Sequence, residues 1–177
     1  RVLQHEFEGH IQQKNWAKDQ ATHKFVLSLD ADERLTLELN ESIAQEKELG
    51  FHHSGYYMNR LNFIGSKAIK SCGWYPDKKL RLWNRDLGKW SGINPHDKFR
   101  LKSGYPRMKL EGDLLHYSYK NRNELFKKSL NYGRIGANYT RTLSYPQLLG
   151  KILFSPLFKF FRNYILNSTK KNYYLIN

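Results

Sequence analysis

A mixed α/β fold is what this 177-residue chain predicts, and three features carry that expectation. A helical stretch, a short apolar run, an acidic turn and a second helix follow one another from Gly9 to Leu49. Short aromatic strands punctuated by glycine and proline fill Gly55 to Tyr119, and helical periodicity returns after Asn121. Helix and strand periods arranged in this way fit a sheet covered by helices.

Gly9 to about Thr22 reads as the first helix, with Ile11, Trp16, Ala17 and Ala21 on its apolar side. Phe25-Val26-Leu27-Ser28-Leu29 reads as a buried strand, because β-branched and aromatic residues dominate a run too short for a helix. Thr36 is placed to cap a second helix that ends near Leu49-Gly50, with Leu37, Leu39 and Ile43 inward. Tyr56 to Ile64, Leu80 to Trp83 and Asp113 to Tyr119 are expected as strands. Leu125, Phe126, Leu130 and Ile135 mark a further helix. The last helix, from Pro146 to Leu166, has the cleanest period: Lys151, Ser155, Lys159 and Arg162 form a narrow stripe, and Leu, Ile and Phe cover the rest. Pro156 is expected to kink or split it. The natural division is residues 1-120, a sheet-forming part, and residues 121-177, a helical, basic extension.

The formal charge of +14 points to an anionic partner: nucleic acid, a membrane surface or a phosphorylated substrate. Its distribution narrows the choice. From Leu114 onward eleven Lys and Arg face the single acid Glu124, so most of the excess sits beside the amphipathic helix. Such a helix fits a membrane interface, with cations at anionic headgroups; packing on its own domain, with Lys and Arg as a solvated edge, is the alternative. Lys170-Lys171 and Tyr173-Tyr174 continue the basic-aromatic pattern. One cysteine, Cys72, excludes an intrachain disulfide framework and a cysteine-rich zinc site, and is compatible with a reducing, cytosolic setting. No run of about 18 apolar residues is present.

Chemistry-bearing residues gather at three places. Asp30 and Asp32 stand at the end of the first strand, where open α/β sheets bind ligands. On an extended segment alternate side chains point one way, so both carboxylates would reach one hard cation carrying a phosphate; a surface turn with Asp30 as a helix cap is the bland alternative. Asn94-Pro95-His96-Asp97 sets a carboxylate beside an imidazole in a loop-like context, as a general base requires. His116 lies in Asp113-Leu114-Leu115-His116-Tyr117-Ser118, where a lone His is usually a satisfied core residue. Gly73-Trp74-Tyr75-Pro76-Asp77 carries two large rings of the kind that stack on sugars. Arg81 and Arg85 are candidate phosphate contacts.

These segments, in this order, resemble a family 2 glycosyltransferase of the GT-A fold. The resemblance runs through Gln13-Lys14-Asn15-Trp16-Ala17, Val26 to Arg34, Gly73 to Asp77, Arg81-Leu82-Trp83, Pro95-His96-Asp97 and Gly112 to Ser118. Together with the tail Pro156 to Ile165 they are similar to the bacterial branch that adds a β-linked glucose or related sugar to the lipopolysaccharide inner core. The fold class this implies is α/β, a partial GT-A (Rossmann-like) nucleotide-sugar transferase sheet followed by C-terminal amphipathic helices.

By that resemblance, Asp30, Asp32 and His116 would hold Mg²⁺ or Mn²⁺ on the diphosphate of a nucleotide sugar, with UDP-glucose the expected donor. Lys14 and Asp30 would contact the donor, and Trp74, Tyr75, Asp77 and His96 the acceptor. Asp97 would take the proton from the acceptor hydroxyl, giving inversion at the anomeric carbon. Family members often carry Glu at that position, and Asp is one methylene shorter. The implied setting is cytoplasmic, peripheral on the inner face of the bacterial inner membrane. The family's first strand and nucleotide-binding turn have no counterpart here, so the chain is expected to lack the opening part of a catalytic domain and to bind donor weakly by itself.

Three rival readings stand beside this one. A nucleic-acid-binding module explains the charge and the aromatic content but not an acidic turn at a strand end, so no nucleic-acid partner is expected. A related transferase could act on a capsule precursor, a lipid carrier or a protein. A membrane-associated scaffold without catalysis would keep the helix and dispense with the acids, and Asp30, Asp32, Asp97 and His116 argue against it.

Overall fold

A computed structural model describes residues 2–71, 73–93, 96–140 and 144–162 as a mixed α/β protein. In chain order its elements are α1 (His10–Asp19), β1 (Phe25–Leu27), β2 (Glu33–Leu35), α2 (Leu37–Glu48), β3 (Gly55–Ile64), β4 (Lys67–Ile69) and β5 (Asp77–Asn84). A 3₁₀ turn (Arg85–Leu87), β6 (Gly88–Ile93), β7 (His96–Leu101), β8 (Arg107–Tyr119), α3 (Arg122–Thr140) and α4 (Tyr145–Phe161) complete it. Six strands form one mixed sheet in the order β1-β5-β3-β8-β2, with β4 also on β3, and β6 and β7 form a separate two-stranded sheet. The chain divides into two compact units, Arg1–Arg60 with Lys78–Leu115, and Leu61–Asp77 with His116–Asn177.

The first unit holds two apolar clusters. Leu39, Tyr56, Met58, Leu82, Leu110 and Leu114 form one, with Phe25, Leu27, Leu35, Ile43 and Phe51 against it. Trp83, Trp90, Phe99 and Leu101 form the other; Trp83 and Phe99 stack face to face with centroids 3.7 Å apart. Buried rings of this size contribute through area and through their mutual geometry. Burial, and then the Glu46 carboxylate, push the Tyr56 phenol up to about 12, while the bond it accepts from the His53 backbone pulls the other way.

Helix α2 starts where Thr36 requires it. The Thr36 hydroxyl accepts from Leu39 N at 3.2 Å, capping the helix, and also from Asp113 N at 3.1 Å on β8. Thr36 N donates back to the Asp113 carbonyl at 3.1 Å. Gly112 makes this contact possible. Its φ is +83°, and a Cβ there would lie 2.4 Å from Leu39 N.

The expected elements differ from the observed ones mainly at their ends. The first strand stops at Leu27 rather than Leu29, and the chain turns over the carboxylates that follow. β8 starts at Arg107, six residues before Asp113, and continues through Gly112. α4 runs unbroken from Tyr145 to Phe161 with Pro156 inside, so the expected split is not found. Cys72, Asn94-Pro95, Lys170-Lys171, Tyr173-Tyr174 and the helix beyond Arg162 lie outside the described residues.

In the second unit β4 pairs antiparallel with the end of β3, Phe63 stacks on Tyr117 at 4.9 Å, and Gly65 N donates to the Tyr119 carbonyl. The Asn121 side chain caps α3 through Glu124 N, and Glu124 turns back to accept from Lys120 N. Ser144 N donates to the Gln147 side chain at the start of α4. Among the described residues no helix is long and apolar enough to cross a membrane.

Candidate functional site

The acidic segment is a turn. Ser28 N still donates to the Arg81 carbonyl on β5, and the chain then reverses over Asp30 to Glu33. Glu33 N donates to the Asp30 carbonyl at 3.0 Å, and the Glu33 carboxylate accepts from Asp30 N at 3.0 Å. The extended geometry expected for Asp30 and Asp32 therefore does not hold. A turn closed by its own fourth side chain replaces it, leaving Asp30 half-buried and Asp32 exposed. Asp30 does not cap α2, which Thr36 does.

Arg81, on β5 and almost fully buried, donates to Asp30 Oδ2 at 2.6 Å and Glu33 Oε1 at 2.5 Å. The Glu33 side chain has no solvent exposure, and Arg60 approaches it at 3.6 Å from β3. The other Asp30 oxygen faces Lys14 Nζ at 3.4 Å, and that ammonium also donates to Asp97 Oδ2 at 2.9 Å. Asp97, Lys14, Asp30, Arg81, Glu33 and Arg60 thus form a chain of alternating charge through the first unit. Burial raises the Asp30 pKa, but the charges and hydrogen bonds of Arg81 and Lys14 outweigh it and hold the carboxyl below its ordinary value. Burial likewise opposes the Arg81 cation, and Glu33 and Asp30 together more than restore it. Arg81 is committed to these two carboxylates. Both bonds leave from the same guanidinium nitrogen, and the Arg81 Nε is buried without a hydrogen-bond partner.

Asp97 sits at the mouth of the β6–β7 hairpin, opposite Gly92. Asn94 and Pro95 lie outside the described residues, and His96 opens β7. What holds Lys14 there is its neighbour. The Asn15 amide donates to the Trp90 carbonyl at 3.0 Å and accepts from Trp90 N at 2.9 Å, clamping α1 to β6. The same arrangement brings Lys14 Nζ 4.5 Å from the Trp90 ring centroid.

The remaining candidates belong to the second unit. His116 Nδ1 is 2.7 Å from Asn62 Oδ1 and 2.8 Å from Ser118 Oγ. The Asn62 amide is oriented by its Nδ2, which donates to the Trp74 carbonyl at 3.4 Å. Its oxygen therefore faces the imidazole. Trp74 meets Tyr119 edge to face at 6.2 Å, Lys70 lies 6.0 Å from the Tyr75 ring, and Asp77 opens β5. Lys14, Asp30 and Asp97 are thus drawn together in one unit, and Trp74 and His116 are linked through Asn62 in the other.

Glu33, Arg60, Asn62 and the Asn15–Trp90 clamp were not singled out from sequence. Only Glu33 had a local signal, as the third acid of Asp30-Ala31-Asp32-Glu33. For a divalent cation the oxygen donors of Asp30 and Asp32 are chemically suited, since Mg²⁺ takes one or two carboxylates and fills its shell with water and phosphate. No group of three or more His, Cys, Asp and Glu side chains forms a ready metal cage among the described residues. No protein-family model matches the chain, and no solved structure matches it.

Proposed function

We propose that the chain belongs to an inverting glycosyltransferase that moves a hexose from a nucleotide-diphosphate sugar to a glycan acceptor, on a partial GT-A (Rossmann-like) sheet. The observation that supports this reading is the position of Lys14, one ammonium shared by the Asp30 carboxylate and the Asp97 carboxylate across 83 residues of sequence. A cation held at that point suits a diphosphate, and a carboxylate beside it suits a base.

In the proposed step Asp97 takes the proton of the acceptor hydroxyl, whose oxygen forms a bond to the anomeric carbon. The bond from that carbon to the diphosphate oxygen breaks, and the nucleoside diphosphate leaves with the electron pair. Attack opposite the leaving group inverts the centre. Lys14 offsets negative charge on the donor, and Trp74, Tyr75, Asp77 and His96 are assigned to the acceptor side. Asp30 and Asp32, with His116 as the third ligand that the resemblance implies, would hold Mg²⁺ or Mn²⁺, which would neutralise charge on the departing diphosphate. UDP-glucose is the proposed donor and the lipopolysaccharide inner core the proposed acceptor; a capsule precursor, a lipid carrier or a protein would serve the same chemistry.

Calorimetric titration of UDP-glucose, with and without Mn²⁺, tests the reading. Metal-dependent binding that Asp32→Ala abolishes is the expected result, and binding indifferent to both removes the two-carboxylate site. Asp97→Asn should spare donor binding and lower transfer by about 10²–10⁴-fold; near-normal transfer places the base elsewhere.

A second reading, a scaffold without catalysis, is favoured by one observation. Both oxygens of Asp30 already meet cations of the protein, as they would in a purely structural network. It predicts that Lys14→Ala weakens folding while donor binding stays undetectable in every variant.

A further inference from the structure

Helix α4 carries no buried residue, although leucine, isoleucine and phenylalanine make up most of it. Leu149, Ile152, Leu153, Phe154, Leu157, Phe158, Phe160 and Phe161 are all exposed, Phe154 and Phe158 by two thirds. Contiguous apolar surface on this scale marks a place where something else is covered. The alternative expected from sequence, a helix packed on its own domain, would have buried these side chains.

The polar residues of α4 are equally one-sided. At about 100° per residue Lys151, Ser155, Lys159 and Arg162 fall within about a quarter of the circumference. No Asp or Glu occurs between Tyr145 and Arg162. The Arg162 guanidinium lies 5.9 Å from the Phe158 ring, at the border of stripe and apolar face.

We propose that α4 lies in the plane of an anionic lipid surface, its phenylalanines in the acyl boundary and Lys151, Lys159 and Arg162 at the phosphates. Three arguments select this occupant. The described part of the helix, 17 residues and about 25 Å, is shorter than a bilayer's hydrocarbon core and carries its cations along one side, as suits a helix lying along the interface. The apolar face is far wider than the seam one partner helix covers. A second copy of α4 would bring three more cations and no acid, whereas an anionic headgroup layer complements the stripe. Lys and Arg stems are long enough to keep their charges at the headgroups while the helix body sinks.

Flotation of the full chain with phosphatidylcholine vesicles, with and without phosphatidylglycerol, reads the proposal without any sugar donor. Wild type should float with the anionic vesicles. Phe158→Ser, Phe160→Ser and Phe161→Ser together should lower partitioning by about tenfold or more per residue. Because these positions are exposed, the far-ultraviolet circular dichroism should not change. Lys151→Gln, Lys159→Gln and Arg162→Gln should cost about fivefold each on anionic vesicles and little on neutral ones. Phe158→Trp should show blue-shifted emission quenched by lipids brominated near the carbonyl end of the chain. Wild type that stays in solution, or a triple serine variant that floats as wild type does, would overturn the proposal. So would a triple serine variant whose only change is conversion of a dimer to a monomer, which would make α4 a self-association face.

Discussion

Around Arg81 three acids and three bases alternate in contact, and the central carboxylate, Glu33, is shut off from solvent. Along α4 three bases stand exposed, no acid is present in the helix, and the phenylalanines are exposed with them. Both regions are rich in charge, but physical chemistry constrains them differently. A charge taken out of water needs a partner within a few ångströms, and around Arg81 each sign has an opposite one beside it. A charge left in water needs none, so an unmatched stripe beside apolar surface speaks of a partner outside the chain. Net charge alone would have described the two regions as one property.

The sharpest way to break this contrast is Arg81→Met. It strands Glu33 and Asp30 without their main counter-ion and should cost about 3–5 kcal/mol in urea denaturation. A loss below about 1 kcal/mol would mean that Glu33 takes up a proton or finds water, and that the chain of charges is not interdependent. Packing can be separated from charge in the same unit by Gly112→Ala. The added methyl meets the Leu39 backbone and strains a positive φ, for an expected loss of about 2–3 kcal/mol with no added pH dependence.

Acid titration follows Asp30. Its folded pKa lies below the ordinary 3.8, so its contribution is complete above that value and is lost as the pH falls through the folded pKa. Stability measured against pH should therefore drop more steeply below about 4 in wild type than in Asp30→Asn. Equal slopes would show that Arg81 and Lys14 do not favour the ionised form. The smallest effect belongs to α4, where Lys151→Gln and Lys159→Gln should shift unfolding in solution by no more than about 0.5 kcal/mol. A larger loss would mean that these cations serve the fold.

Much of the framework was legible because its signals are local. Thr36 and Gly50 bracket α2, short aromatic and aliphatic runs mark β3 and β5, and the stripe of α4 repeats every three or four residues. Three-residue strands such as β2 and β4 have no room for a period. The site was legible only as residue types. Asp30, Lys14 and Asp97 could be nominated, but the turn that carries Asp30 and Asp32 depends on the Glu33 side chain folding back. The capture of Arg81 depends on a partner 48 residues away, for which no local pattern exists.

The contacts that define the first unit share one property, their reach along the chain. Lys14 meets Asp97 across 83 residues, Asn15 meets Trp90 across 75, and Thr36 meets Asp113 across 77. Each closes a long loop whose entropy must be lost before the contact returns anything, the regime in which folding is slow. During synthesis from the N-terminus, Lys14 and Asp30 emerge long before Asp97 and wait without it. The ion pair that joins them therefore cannot form before β7 is made, and it ties the first helix to the last third of the first unit.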